Sequence, residues 1–379
     1  MPETVAIADI AAHSDVVESG TPSAAPVWLT RNGRPLRAAE RNKLLHWRTM
    51  PHVEIRSWLV RNVVLDATTM LLLQDGRIVR ESNYHRPAEE LLSIRVDPAR
   101  LTRIETDLPV LVCGDAWSTN HYHFLNHTLP AIADALARHG ANGVWLAAHA
   151  MRPVHADIVA MLGLAGARQI RLEPGRQYEI ACAVFCDYTV GRADFSNSRN
   201  IQDLHDRIGA CVQGDGEHQS RVYVSRQKDR HRHAVGEADL ITGLARRGFI
   251  IATPAEMTIA EQIALFRGAR LVVGPHGAGL ANISFCRPGT AVYQFLPQHF
   301  IEPSVVNLAI RRGARIWVDV FPGDGDGADH VRNWRLDARA ILRRVDEIEG
   351  ATWWSRLPRI AQRGGRRLGS LARPRRLAD

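Results

Sequence analysis

Two stretches of this chain combine residue types and spacings that could do chemistry. The first is His121-Tyr122-His123-Phe124-Leu125-Asn126-His127, three histidines within seven residues. On a helix, His123 and His127 at i,i+4 share one face, which raises the question of a metal. A zinc site wants a third and fourth ligand, and no acid or cysteine stands at a suitable local spacing, so no metal ligand is assigned here. The second stretch is Leu271-Val272-Val273-Gly274-Pro275-His276-Gly277-Ala278-Gly279-Leu280-Ala281-Asn282. A short apolar run reads as a buried strand, the glycines as a turn, and Leu280, Ile283 and Phe285 as the start of a helix. Backbone N–H groups at such a turn meet anions, and the natural occupant is a phosphate or diphosphate. The bland alternative is a tight connection between strand and helix. The dinucleotide fingerprint is also incomplete, because Asn282 stands where a third glycine or alanine would be.

A diphosphate leaving group gains charge as it departs and needs cations. Arg226 and Lys228 lie just past the strand Val222 to Ser225, at the edge of an open sheet where ligands collect. A charge-assisted hydrogen bond is worth about 1.5–3 kcal/mol against about 0.3–1 for a helix dipole, so the arginine should outweigh the helix end. Arg232 belongs to the same basic segment, which could equally be a solvated loop. His276 could donate to a phosphate oxygen or simply fill the turn. Glu237 could bind a ribose hydroxyl or start a helix.

These residues need elements to hold them. Residues 1–50 read as a mobile leader and lead-in, rich at first in Ala, Ser, Thr and Pro. Short β-type runs from Val53 to Val79 read as hairpins, with Asp75-Gly76 as a tight turn. Pro109 to Val112 is a buried strand that carries Asp115 beyond its end. Leu125, Leu129, Ile132 and Leu136 mark an amphipathic helix, with Pro130 kinking it or lying in its first turn. Further strands and helices complete an α/β domain over 51–213, and Gly214-Asp215-Gly216-Glu217 reads as a linker. A second domain, 218–335, alternates strands near 221, 249, 270, 290 and 314 with helices, the pattern of a parallel sheet. Thr258-x-x-Glu261 is a capping box. A closing helix over 336–350 is free to cross back onto the first domain, and a basic tail, 352–379, follows.

The chain has 379 residues, 45% hydrophobic and 23% charged, as expected of a two-domain globular protein. No stretch is apolar for the ~18 residues a spanning helix needs, and no basic segment opens a signal peptide. Five cysteines without CxxC spacing fit a reducing, cytoplasmic setting. From Thr352 onward there are eight arginines and one acid, so the tail carries +7 of the net +8. That distribution excludes general nucleic-acid binding. Trp353 and Trp354 beside the arginines point instead to peripheral contact with an anionic membrane, the inner membrane surface, through residues 353–376, against the alternative of a solubilising end.

The order Ser220-Arg221-Val222-Tyr223-Val224-Ser225-Arg226-Gln227-Lys228, then Arg230, Arg232, Glu237, Glu261-Gln262 and His276 to Asn282, resembles glycosyltransferase family 61. That family includes plant xylosyl- and arabinosyltransferases, animal N-acetylglucosaminyltransferases and bacterial capsule-type proteins. The resemblance covers roughly residues 220–297 and, more thinly, 110–135. It implies a GT-B fold, α/β throughout, with two Rossmann-like domains whose parallel sheets face across a cleft. It implies an inverting transfer from a nucleotide sugar, UDP-linked by preference, to a hydroxyl of a glycan or lipid-linked acceptor in surface polysaccharide synthesis. The donor would be bound by Arg226, Lys228, Arg232, Glu237, Gln262, His276, Gly277, Ala278, Gly279 and Asn282. No cofactor or metal is implied, since no Asp-x-Asp run stands near the donor residues; Asp324-x-Asp326 lies in a glycine-rich loop. The family carries an acid four residues past the aromatic-flanked histidine, the position of the acceptor base, whereas this chain has His127. His127 is therefore the expected base, titrating near 6–7 as an ordinary histidine would, with Asp115 and His123 as substitutes and a packing role as the alternative. Two other classes stay open: a non-catalytic nucleotide-sugar or glycan-binding protein of the same fold, and a histidine-metal hydrolase.

Overall fold

A computed structural model describes residues 2–20, 27–29, 36–44, 53–192, 194, 198–212, 219–229, 232–323 and 331–356, with 27–29 and 351–356 in backbone only. The expected linker, Arg230, both acids of Asp324-x-Asp326 and the side chains of the basic tail lie outside the described residues. The chain divides into two compact units, Met1–Pro22 with Met50–Val212, and Ser23–Thr49 with Gln213–Asp379.

The first unit is built on a sheet of ten strands among the described residues. Its parallel part has Val110–Val112 between Trp145–Ala148 and Gln177–Cys186, with Arg168–Arg171 outside. Val110–Val112 is a short apolar run buried on both faces, as a central parallel strand requires, whereas Arg168–Arg171 at the edge is largely exposed. The expectation of a wholly parallel sheet does not hold here. The long strand Val53–Asp66 runs antiparallel to Gln177–Cys186 and feeds the hairpin Leu71–Gln74/Arg77–Val79. Asp75 and Gly76 both take positive φ (49° and 77°), the turn that matches strand twist.

The leader is also corrected. Thr4–Val5 pairs with Ile78–Val79, and Ala11–Gly20 runs antiparallel to Val53–Val60. Val5 and Ile7 are buried. This edge strand takes its order from backbone pairing, so its own side chains (His13, Ser14, Asp15, Glu18) show little apolar alternation.

The helix after Asn120 changes pitch. His121–His123 is α, Phe124–Thr128 widens to π, and Leu129–His139 resumes α. Pro130 has no N–H for the carbonyl of Asn126, and its ring crowds that carbonyl. The Leu129 N–H instead reaches back to the carbonyl of Phe124. The widened turn contains His127.

The second unit has a six-stranded, all-parallel sheet in the order Ile250–Ala252, Ser220–Val224, Ala269–Pro275, Ala291–Pro297, Arg315–Phe321, Val27–Leu29. The last strand comes from the N-terminal region and was not expected from the sequence. Thr258 and Glu261 form the capping box of the helix Ile259–Arg267. The closing helix runs Ala338–Arg356, and its Ile341, Val345 and Ile348 pack with Leu240 and Leu244 of the same unit. Its apolar face is thus used inside the second unit. No described helix is long and apolar enough to cross a membrane.

Each unit has one place where chain order reverses direction across its parallel strands. In the first, the chain steps outward from Val110–Val112 through Trp145–Ala148 to Arg168–Arg171, then returns as Gln177–Cys186 on the other side. In the second, Ser220–Val224 is followed by Ile250–Ala252 on one side and Ala269–Pro275 on the other. Crevices outside the carboxyl ends of strands at such reversals are where open α/β sheets bind ligands.

Candidate functional sites at two strand-order reversals

At the first reversal, Asp115 follows the strand Val110–Val112 and is buried. Its Oδ1 accepts from the backbone N–H of Trp117 at 2.6 Å. Its Oδ2 accepts from Nδ1 of His123 at 2.8 Å and from Nδ1 of His127 at 2.9 Å. Burial alone would raise the Asp115 carboxyl, but the hydrogen bonds and charges of the two histidines hold it well below the carboxylate range. An ionised carboxylate can only accept, so both Nδ1 atoms carry protons.

His127 has a second partner. Its Nε2 donates to Asp194 Oδ2 at 3.0 Å, and Asp194 Oδ1 accepts from the Tyr122 hydroxyl at 3.1 Å. A ring with carboxylates at both nitrogens needs two N–H groups and is an imidazolium. Burial opposes that charge, but the charge of Asp194 and the hydrogen bonds to Asp115 and Asp194 win and push the group up to about 10. The expectation that His127 titrates near 6–7 is therefore corrected. With no lone pair and a side chain 0% exposed, it is not placed to take a proton from an acceptor. His123 differs: its side chain is 16% exposed, and with Nδ1 donating to Asp115 its lone pair lies at Nε2.

Tyr84 packs edge-on to His123 with ring centroids 5.2 Å apart, and lies 5.5 Å from His127. Gly191 ends the turn after Cys186 with φ +69°, and a Cβ there would meet Tyr84, Asp194 and His127 at 3.0–3.1 Å. Both facts favour glycine. His121, first of the three histidines, instead stacks on His155, which also stacks on Phe124. Sequence reasoning missed Asp194 and Tyr84; neither stands in a motif, and only the fold brings them in.

Asp115, His123 and His127 offer ligand atoms within 4.8 Å of one another. Both Nδ1 atoms, however, aim at one carboxylate oxygen and spend their protons on it. An ion would need those lone pairs, the loss of both protons, and the carboxylate moved aside. As placed, the three side chains are joined by hydrogen bonds that share Asp115 Oδ2.

At the second reversal, Arg226 follows the strand Ser220–Val224 and is buried. Its Nη1 donates to the His276 carbonyl at 2.6 Å, and its Nε lies 2.8 Å from Asp229 Oδ2. Arg232 lies over the Phe300 ring at 4.5 Å, and His276 packs on the same ring at 5.5 Å. Burial first, then the charge of Arg226, pulls Arg232 down to about 10. Burial and the charges of Arg232 and Arg226 keep His276 neutral, its titration far below the usual range. Gln294 Nε2 lies 2.7 Å from His276 Nδ1, an arrangement that leaves the ring proton on Nε2 as a donor. A Cβ on Gly277 would come 2.2 Å from Arg226 Nη1, so the bare backbone is what lets the guanidinium lie across the turn. The segment Ala278–Phe285 is 3₁₀ and not α, buried from Leu280 onward. A 3₁₀ end contributes less than the α-helix end that was expected.

The remaining expected donor residues divide. Lys228 pairs with Glu256 at the surface. Glu237 Oε1 accepts from the Tyr223 hydroxyl, the Ser225 hydroxyl and the Arg226 N–H at 2.8–3.0 Å, so it shapes the strand end. Gln262 Nε2 donates to the carbonyls of Pro254 and Met257, while its Oε1 accepts from Asn282 at 2.8 Å. Those two residues bind each other and hold the 3₁₀ segment to its neighbour.

Both α/β units gather polar residues at a strand-order reversal, the kind of place where open α/β sheets bind ligands. Residues 121–293, which run from the first histidine through the glycine turn, match the family Glycosyltransferase 61. It is also similar to a beta-1,2-xylosyltransferase of Arabidopsis thaliana, 26% identical over 146 residues, 38% of this chain. The aligned part spans 24% of that plant protein.

Proposed function

We propose that the chain is an inverting glycosyltransferase using a nucleoside diphosphate sugar, UDP-linked by preference. The labour is divided in the GT-B manner: the second unit holds the donor and the first activates the acceptor. The observation that carries this reading is the pair Asp115–His123. A buried carboxylate fixes Nδ1–H and leaves Nε2 of a part-exposed imidazole as a proton acceptor. The acceptor hydroxyl gives its proton to His123 Nε2 while its oxygen bonds the anomeric carbon. The bond from that carbon to the diphosphate oxygen breaks on the opposite face. The charge that appears on the leaving group is taken by Arg226, Arg232, the His276 Nε2–H and the N–H groups of Ala278 and Gly279. Arginines in these roles make a metal unnecessary. His127 is a buried cation that balances two carboxylates.

The acceptor we propose is a glycan or lipid-linked glycan of a surface polysaccharide, met at the cytoplasmic face of an anionic membrane through residues 353–376. UDP should raise the melting temperature without added divalent ion, by about 2.7 kcal/mol of stabilisation at a hundredfold excess over Kd. Arg226→Ala should remove most of that shift. No shift with any nucleotide would overturn the donor assignment, and a strict need for Mn²⁺ would overturn the metal-free mechanism. A non-catalytic nucleotide-sugar-binding protein is the second reading, favoured by the saturated His127 where the family carries an acid. Donor turnover separates the two.

A further inference from the structure

We propose that Trp117 is the stacking platform of an acceptor subsite, its indole face taking the apolar face of a pyranose ring whose hydroxyl is offered to His123. The proposal rests on the transferase reading above. Its starting observation is exposure: Trp117 shows 55% of its surface, and it is the only aromatic among the exposed large hydrophobic residues of the described chain (Val16, Leu92, Trp117, Val235, Ile250). Single exposed apolar residues are ordinary. This one differs in how its backbone is fixed.

The Trp117 N–H donates to Asp115 Oδ1, the same carboxylate whose Oδ2 holds His123. The Trp117 carbonyl accepts from the Asn120 N–H at 2.7 Å, and Asn120 Oδ1 in turn caps the helix that carries His123 by accepting from the Tyr122 N–H at 2.9 Å. Ser118 ties both its N–H and its hydroxyl to the Asp115 carbonyl. These bonds fix the backbone of Trp117 and the direction of its Cα–Cβ bond. The exposed indole is carried on that backbone, whose N–H shares the Asp115 carboxylate with His123.

Such an arrangement suits sugar. One face of a pyranose presents C–H groups with slight positive charge, and the indole face is the electron-rich side of a quadrupole. The indole N–H remains able to donate to a ring hydroxyl. The backbone beneath the indole is already held, which limits the ordering cost of binding. A nucleobase would stack on the same face, which makes the donor the competing occupant to test against.

The test uses the full chain with Trp117→Ala and Trp117→Phe, an array of pyranose oligosaccharides as probe, and the UDP melting shift as control. Equal melting temperatures of the unliganded proteins are expected, because the indole is exposed. Trp117→Ala should weaken binding to the array glycans by about tenfold or more, as loss of a central aromatic contact does, and Trp117→Phe should keep most of it. The UDP shift should be the same in all three. Undiminished glycan binding by Trp117→Ala, or wild-type binding to no pyranose at all, would overturn the subsite. A UDP shift lost on Trp117→Ala would also overturn it, by moving the residue to the donor. If UDP shifts none of the three while glycan binding depends on Trp117, the subsite stands and the transferase reading falls.

Discussion

Two histidines, one at each reversal, have been driven in opposite directions; His127 is buried and His276 half-buried. Burial by itself disfavours the charged ring of both. His127 lies between Asp115 and Asp194 and is held as a cation up to about 10; His276 faces Arg226 and Arg232 and is held neutral. The topology around them is alike, a central strand whose successors lie on opposite sides. Topology therefore decides where a site forms, and the neighbouring charges decide what it does. The first reversal gathers carboxylates and imidazoles, a set for moving protons. The second gathers guanidiniums, a neutral imidazole and backbone N–H groups, a set for holding an anion.

If that contrast is right, the largest effects separate chemistry from binding. His123→Ala should lower turnover roughly 10²–10⁴-fold with the UDP shift intact. Asp115→Asn should approach the same loss, because the amide can offer an N–H where the ring needs an acceptor. Steady-state rates beside melting shifts check both. A loss of UDP binding in His123→Ala would erase the contrast.

His127→Gln should act on stability. It removes the cation between two carboxylates and should cost roughly 3–5 kcal/mol, the price of leaving buried charge unpaired. The pH dependence has a definite sign. The folded value, about 10, lies above the ordinary histidine value near ~6.5, so the stabilisation is full below ~6.5 and drains away as pH climbs through about 10. Urea melts at about pH 6, 8 and 10 should show wild type weakening along this series and His127→Gln lacking that component. A wild-type curve flat over the range would contradict the imidazolium assignment.

At the second reversal the telling change is Gly277→Ala. Its new Cβ would lie 2.2 Å from Arg226 Nη1 and must push the guanidinium off the His276 carbonyl. Losing a charge-assisted bond of about 1.5–3 kcal/mol predicts a UDP Kd weaker by roughly 10- to 100-fold. Donor titration against wild type measures it, and an unchanged Kd would mean that Arg226 does not hold the donor.

The parts legible in the sequence are those fixed by near neighbours. Asp75-Gly76 names its own turn, Thr258 and Glu261 name a helix start, and Pro130 marks the turn where the helix widens. The strand-end position of Arg226 followed from an apolar run and its punctuation. Distant pairings left no such mark. Val27–Leu29 becomes a strand only by lying beside Ile316–Val318, and Ala11–Gly20 only by lying beside Val53–Val60. The same limit governed the site. His127 was legible as a histidine, but Asp194, 67 residues later, turns it from a base into a cation.

The smallest functional effect is expected at Asn282 and Gln262, where the family resemblance and the geometry part. The resemblance makes both donor ligands; the geometry spends their polar groups on each other and on local carbonyls. Asn282→Ala would leave Gln262 Oε1 buried without this donor, which should cost about 1–3 kcal/mol of stability. Its UDP Kd should stay within about twofold of wild type, less than half a kcal/mol. Asn282→Asp sharpens the test, since it sets a carboxylate oxygen against Gln262 Oε1 and should destabilise further unless the amide of Gln262 flips. A flip would satisfy the new acid but strip the carbonyls of Pro254 and Met257 of their donor, so the cost moves without vanishing. A donor ligand behaves otherwise. If Asn282→Ala melts like wild type but binds UDP tenfold more weakly, the side chain faces the nucleotide, and the anion site extends past the first turn of the 3₁₀ segment.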